Sequence, residues 1–298
     1  MSSNSTDAPP REALRPIRDD EVAAFWRDGV VCLRGVVPED WLARMEAPIE
    51  SELRGARTAD LTEMARSIER SGGSALADAR LPADRPRGRF FAGTDHWRGS
   101  EDFRAFASDS PLPEIAARLL RSQSVNLYED SLLVKEPGTA EPTAWHQDMG
   151  YFHLEGEQVC TFWCPLDAAG PENGAVEYVL GSHLAGTIYR PNLFVSNADI
   201  AGSEGAVVPD IDAARDRYEI LGFETVPGDL VVHHARTLHG APGNRSAQLR
   251  RRAISVRYCG DDARVHLRRG APRKPHQDGL RDGTRPGGVD CPRVWPPV

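Results

Sequence analysis

From Ser122 onward the chain reads as a series of short strands: NLYEDSLLVK, QVCTFWCPLDA, GAVEYVLG, DLVVHH and RRAISVRYCG, separated by EPGTAEP, GPENG, VPG and HGAPGN. Short runs rich in Val, Ile, Tyr, Phe and Trp, punctuated by Gly, Pro and Asn, are strands joined by turns. No helical stretch lies between them. That excludes βαβ units and leaves an antiparallel sandwich or barrel. The chain's 27 glycines and 23 prolines supply the turns that such a fold needs.

The first 120 residues have a different periodicity. Asp20 is placed to cap a helix through EVAAFWRDG, and the β-branched run VVCLRGV then ends in a turn at Pro38. EDWLARMEAPIESELRG sets Trp41, Leu42, Met45, Ile49 and Leu53 at three- and four-residue steps, the mark of an amphipathic helix. Ser110-Pro111 opens a further helix, LPEIAARLLRS. The expected fold class is therefore mainly β with an α-helical N-terminal layer. Residues 1–18, polar and proline-bearing, are expected to be a disordered lead-in, and residues 55–88 show no dominant pattern. The long connection Thr187–Leu221 is expected to be a lid-like insert. The tail from Asp262, rich in Arg, Pro and Gly, is expected to wrap over the surface. No repeat and no linker divides residues 19–298, so they are expected to form a single domain.

Charge and composition remove several functions. Lys+Arg 36 against Asp+Glu 44 gives a net charge of −8, and no basic stripe suggests a nucleic-acid partner. There is no apolar run of roughly 18 residues to span a membrane, and the first twenty residues hold no apolar segment of a secretory signal. Five cysteines (Cys32, Cys160, Cys164, Cys259 and Cys291), with no CxxC pair, read as free thiols of a reducing cytoplasm. The expected partner is a small molecule, with no nucleic acid and no membrane. Oligomeric state is not readable.

Trp145-His146-Gln147-Asp148 carries the strongest chemistry in the chain. On a strand, residues i and i+2 share a face, so His146 and Asp148 can converge on one ion. An imidazole and a carboxylate suit Fe(II), Zn, Mn or Ni alike. Two histidines and a carboxylate with open positions are the signature of non-haem Fe(II) oxygenases. The third ligand is expected from GDLVVHHARTLHGAPGN, which offers His233, His234 and His239. If DLVVHH is a strand, His233 and His234 face opposite sides. Periodicity does not choose among the three.

The stretches AWHQDMGYF, FWCPLDAAGPENGAVEYVLGSH and PGDLVVHHARTLHGAPGNRS with RRAISVRY, in this order from about Asn126 to Tyr258, resemble the phytanoyl-CoA dioxygenase family. The opening DEVAAFWRDGVVCLRGVVPEDWL is also similar to that family's start, while residues 55–88 and 187–221 match less well. The resemblance implies a double-stranded β-helix, the cupin-like jelly roll, and an Fe(II)- and 2-oxoglutarate-dependent oxygenase that uses O2. In the family the distal histidine precedes an HG…N turn, here His239-Gly240 with Asn244. The implied metal ligands are His146, Asp148 and His239, with His234 beside them as a pocket residue.

The resemblance also implies a cation for the far carboxylate of 2-oxoglutarate, on the strand after the distal histidine. Arg serves best, because its planar fork can hold both oxygens. Along Arg250-Arg251-Arg252-Ala253-Ile254-Ser255-Val256-Arg257-Tyr258, alternation puts Arg251, Ala253, Ser255 and Arg257 on one face. The small residues Ala253 and Ser255 leave room for a cavity beside Arg251. Counting forward from Asn244 selects Arg250 instead. Trp163 and Ser131 match two further cosubstrate contacts of the family, and no catalytic residue is expected beyond the metal ligands.

The expected function is oxidation, foremost hydroxylation, of a small molecule such as a natural product or an acyl or amino-acid derivative. Succinate and CO2 are the coproducts. Desaturation, cyclisation and epoxidation share the chemistry. Two other readings use the same residues: a metal-dependent hydrolase, and a catalytically inactive binding module on this fold.

Overall fold

The computed structural model describes residues 9–81 and 86–297. The chain opens with α1 (Asp19–Asp28), β1 (Val30–Leu33) and α2 (Glu39–Glu52). Next come β2 (Thr58–Asp60), α3 (Leu61–Arg70), β3 (Phe90–Thr94), α4 (Glu101–Asp109) and α5 (Leu112–Leu120). The β-rich part follows: β4 (Val125–Lys135), β5 (Thr143–His146), β6 (Leu154–Glu155), β7 (Val159–Pro165), β8 (Glu177–Val179) and β9 (Ile220–Gly222). It ends with β10 (Leu230–His234), β11 (His239–Ala241), β12 (Arg251–Cys259), β13 (Arg264–Val265) and β14 (Arg293–Trp295).

The strands form a large antiparallel sheet in the order β1-β10-β7-β12-β4-β3-β2, with β14 also on β4. A smaller sheet, β5-β11-β8-β9, completes a jelly roll. Alternation along the central strands decides what each face meets. Ile254, Val256 and Tyr258 of β12, Phe162 and Cys164 of β7, and Leu230 and Val232 of β10 pack with Phe25, Trp41, Met45, Phe106 and Leu119 of the helical layer in the main core. Burying each such side chain is worth about 1.5–3 kcal/mol. The opposite residues, Ala253, Trp163 and Val231, face the space between the sheets with Tyr178. The site lies in that space.

The helices follow the sequence reading closely. In α2, Trp41, Leu42, Met45 and Ile49 are the buried positions. Helix α1 starts at Asp19, one residue ahead of the expected cap, and ends at Gly29 with φ 78°. A Cβ at Gly29 would lie 2.4 Å from His183 Nδ1 and 2.5 Å from Thr237 Oγ1, so only glycine fits there.

Three segments depart from what the sequence suggests. Of the expected lead-in, residues 1–8 lie outside the described residues. Residues 9–18 are docked: the Pro10 carbonyl accepts from Trp41 Nε1 at 2.8 Å, Leu14 N–H donates to the Val36 carbonyl at 3.0 Å, and Arg15 pairs with Glu21 at 2.7 Å. Patternless residues 55–88 hold β2 and α3, the latter capped by Asp60, which accepts from Thr62 N–H at 2.9 Å. The tail is more than a surface wrap, because β13 and β14 join sheets while Cys291 and Val294 are buried. All five cysteines are free thiols.

Candidate active site

His146, at the end of β5, lies directly across from His239, at the start of β11. Their ring centroids are 4.2 Å apart. Each ring is fixed by an Nδ1–H donated two residues back, from His146 to the Ala144 carbonyl at 2.8 Å and from His239 to that of Thr237 at 2.9 Å. That tautomer leaves each Nε2 lone pair free for a metal. Past Gln147 the chain turns into a short 3-10 helix, Asp148–Gly150, so Asp148 reaches the histidines from a turn and not along a straight strand. Asp148 Oδ1 lies 3.6 Å from His146 Nε2 and 3.8 Å from His239 Nε2. One ligand atom from each of the three residues falls within 4.8 Å of the others, and all three residues are buried. Two imidazoles and one carboxylate, converging on a cavity, fit an Fe(II) site with open positions.

Electrostatics agree with this set. Burial opposes ionisation of Asp148, yet the surrounding imidazoles of His146, His233 and His239 outweigh it and hold the carboxyl well below its usual range. Burial, with help from its two histidine neighbours, keeps His239 well below the ordinary imidazole value. A deprotonated carboxylate beside a neutral imidazole is what a divalent ion requires.

His234 is a correction to the sequence reading, which set it beside the metal ligands. It lies on the outer face of β10, its Nε2 donating to the Glu157 carbonyl at 2.8 Å and its ring packed near Phe25, Trp26 and His183. His233 is the pocket residue. It sits 4.2 Å from the His239 ring, and its Nε2 is 3.2 Å from Asp148 Oδ2.

The arginine register is resolved by the same alternation. Arg250 points outward to Glu50 at 2.5 Å and Glu136 at 2.9 Å, and Arg252 holds Asp167 at 2.7 Å together with Glu46. Arg251 is 2% exposed and lines the inner pocket with His146, Asp148 and His239. Its guanidinium lies 5.8 Å from the Trp163 ring centroid, and its Nε makes no hydrogen bond among the described residues. Burial lowers its pKa to about 10, so it stays cationic. A buried cation with an unsatisfied donor calls for an anion. Lys135, its register partner on β4, is buried and donates to the Pro242 carbonyl at 2.7 Å; burial, and next the Arg251 charge, hold its amine well below the usual lysine range. These residues fit a dicarboxylate reaching from the triad to Arg251. Trp163 lines the same pocket. Ser131 lies further out: its hydroxyl accepts from Arg257, and it borders a wider cavity of about 460 Å³.

That outer cavity opens over His146 and Asp148. One wall is apolar, with Leu61, Met64, Ala92, Leu193, Phe194 and Ile200, and the other carries Glu129 paired with Lys274. The insert 187–221 contributes Asn192, Leu193, Phe194 and Ile200, and Gln147 ties its start by donating to the Thr187 carbonyl at 3.1 Å.

A model of the phytanoyl-CoA dioxygenase family matches residues 25–253. The chain belongs to that family. Among its relatives, the probable alpha-ketoglutarate-dependent hypophosphite dioxygenase of Stutzerimonas stutzeri is 29% identical over 141 residues, 47% of each chain, so that match spans about half of the relative's length. The L-proline trans-4-hydroxylase of Streptomyces griseoviridis is 26% identical over 66% of this chain and 80% of its own. In fold, the protein is similar to the non-heme alpha ketoglutarate dependent carbocyclase SnoK from nogalamycin biosynthesis, with TM-score 0.68, 23% identity, and 96% and 100% of the two chains covered. EctD from S. alaskensis, solved with 2-oxoglutarate and 5-hydroxyectoine, gives TM-score 0.59 at 20% identity over 97% and 96%.

Sequence reasoning does not single out Thr161, Tyr178 or Lys274, all of which line these cavities. Thr161 was findable, because it sits two residues before Trp163 on the same face of β7. Lys274 was not, since nothing in an Arg/Pro-rich tail marks the residue that folds back to the mouth.

Proposed function

We propose that the protein is an Fe(II)- and 2-oxoglutarate-dependent oxygenase that hydroxylates a small, largely apolar molecule carrying a polar end. One observation carries this reading: an inner pocket is lined both by the His146/Asp148/His239 set and by the buried Arg251 guanidinium, whose Nε has no hydrogen-bond partner among the described residues. When bound, iron and 2-oxoglutarate supply the oxidising power, with the cosubstrate leaving as succinate and CO2. The chain's own part is to bind and orient. His146, Asp148 and His239 would hold the metal, and Arg251, flanked by Trp163, would hold the far carboxylate. The apolar walls of the inner pocket keep water from the reacting atoms.

The size and lining of the outer cavity support the substrate class. Its surface is mainly apolar, and the Glu129–Lys274 pair offers both a donor and an acceptor to a polar substituent. A hydrolase is not favoured, because the inner pocket sets a buried cation, Arg251, beside the metal set, which hydrolysis does not call for. Retention of all three ligands and of Arg251 argues against an inactive module. The test is succinate formation from 2-oxoglutarate by the purified protein with Fe(II), ascorbate and O2, with Arg251→Ala and His146→Ala as controls. Succinate at the same level in all three proteins would sink the reading.

A further inference from the structure

Asp148 is held unevenly. Oδ1 faces the two ligand histidines, while Oδ2 receives two hydrogen bonds from the main sheet, His233 Nε2 at 3.2 Å and Thr161 Oγ1 at 2.5 Å. His233 and Thr161 are cross-strand partners of β10 and β7, so one rung of the sheet presents both donors to one oxygen. An ionised carboxylate only accepts hydrogen bonds, so the His233 proton is on Nε2. His233 is 3% exposed, boxed between the His239 ring at 4.2 Å and the Tyr178 ring at 5.3 Å, and its Nδ1 has no partner among the described residues. A bare imidazole between a metal ligand and an aromatic ring is a costly way to fill space. An apolar side chain would pack there without a buried unsatisfied nitrogen.

We propose that His233 is a positioning residue of the metal centre: with Thr161 it ties down Oδ2, so that Asp148 offers the ion Oδ1 alone. The inference rests on the proposed iron site and adds a function for a residue outside the ligand set. Its consequence is an open coordination position. A carboxylate free to swing could grip the ion with both oxygens and occupy a place that a chelating keto acid needs. Tying Oδ2 to a rigid rung of the sheet prevents this without another ligand. Carboxylates and histidines behind a metal's ligands commonly tune affinity 10–100-fold.

The test uses the full-length protein, stripped of metal and titrated with Co(II), whose visible spectrum reports ligand number. His233→Phe keeps a ring and removes the donor; His233→Gln keeps an N–H donor at similar reach. The Co(II) dissociation constant should rise about 10–100-fold in His233→Phe and return to within about 3-fold of wild type in His233→Gln. The Co(II) bands should shift in the first variant only. Thr161→Val, isosteric and without a donor, should shift the bands in the same sense, which keeps the test open if His233→Phe fails to fold. Wild-type affinity and spectrum in a folded His233→Phe would overturn the proposal, as would a Gln variant as impaired as Phe. If instead wild type and His146→Ala alike take up no Co(II), the metal site itself is refuted and this inference falls with it.

Discussion

His233 and His234 are neighbours in sequence and lie on opposite faces of β10, one against the Asp148 carboxylate, the other 6.2 Å by ring centroid from Phe25 of α1. The metal and the helical layer thus read alternate residues of one strand. His239→Ala should weaken Fe(II) binding at least 100-fold, because the site loses one of three ligands. His234→Ala should leave Fe(II) binding within about 3-fold and instead lower Tm by several degrees, from a lost buried ring and its hydrogen bond to Glu157. Metal titration and thermal melts on both variants check this; the opposite pattern would return His234 to the site.

Arg251 and Arg250 separate in the same way. Removing the charged partner of a buried carboxylate costs about 2–5 kcal/mol, so Arg251→Ala should raise the apparent constant for 2-oxoglutarate more than tenfold. Arg251→Lys should recover part of the loss, since it keeps the charge and lacks the fork. Arg250→Ala breaks only solvent-facing pairs to Glu50 and Glu136, worth about 0–1 kcal/mol, and should leave the constant unchanged. Steady-state kinetics with varied 2-oxoglutarate decide between them.

These two contrasts mark what the sequence could and could not reveal. Strand periodicity showed that neighbouring residues of β10 and β12 face opposite ways, and family motifs named His146, Asp148, His239 and Arg251, which the fold brings around one pocket. Periodicity could not say which parity faced inward, because both faces of the main sheet are covered and both are apolar around the candidates. His234 is therefore misplaced, while His233, one of three candidate ligands, receives no place beside Asp148. Residues 55–88 stayed unreadable for another reason: β2 and α3 are short, and their pairing with β3 and packing on Phe90 arise from distant contacts.

Asp130 gives a pH test independent of the metal. Burial, and next the nearby Asp95 charge, push its pKa up to about 8, while its Oδ2 accepts from Trp97 N–H at 3.0 Å. In the unfolded chain it titrates near ~4. Between these values the folded protein retains a proton that the unfolded chain releases. Asp130 thus contributes stability in full below about pH 4, and that contribution is lost as pH rises toward about 8. Asp130→Asn mimics the protonated form, keeps an acceptor for Trp97 and removes the titration. Its Tm should match wild type near pH 3.5 and exceed it by at least about 2 °C at pH 8.5. A gap that does not widen with pH would place the Asp130 pKa in the ordinary range.

Phe194 tests whether the insert 187–221 governs substrate access. Its φ of 66° is unusual for a bulky residue, and it is held there because its N–H donates to Asn192 Oδ1 at 2.9 Å. Asn192 in turn donates through Nδ2 to the Trp145 carbonyl at 2.9 Å and accepts from Tyr151 at 2.9 Å, which fixes the insert to the strand that carries His146. The Phe194 ring comes within 5.2 Å of the His146 ring, between the inner pocket and the outer cavity. Phe194→Ala would remove about 2 kcal/mol of apolar contact with a substrate seated there. That predicts a loss of roughly thirty-fold in kcat/KM for substrate oxidation, with Fe(II) and 2-oxoglutarate constants within about 3-fold of wild type. Asn192→Ala, which frees the segment, should act in the same direction. Equal losses in all three constants would instead make the insert a structural brace of the metal centre, and control of substrate access would have to lie elsewhere on the cavity wall.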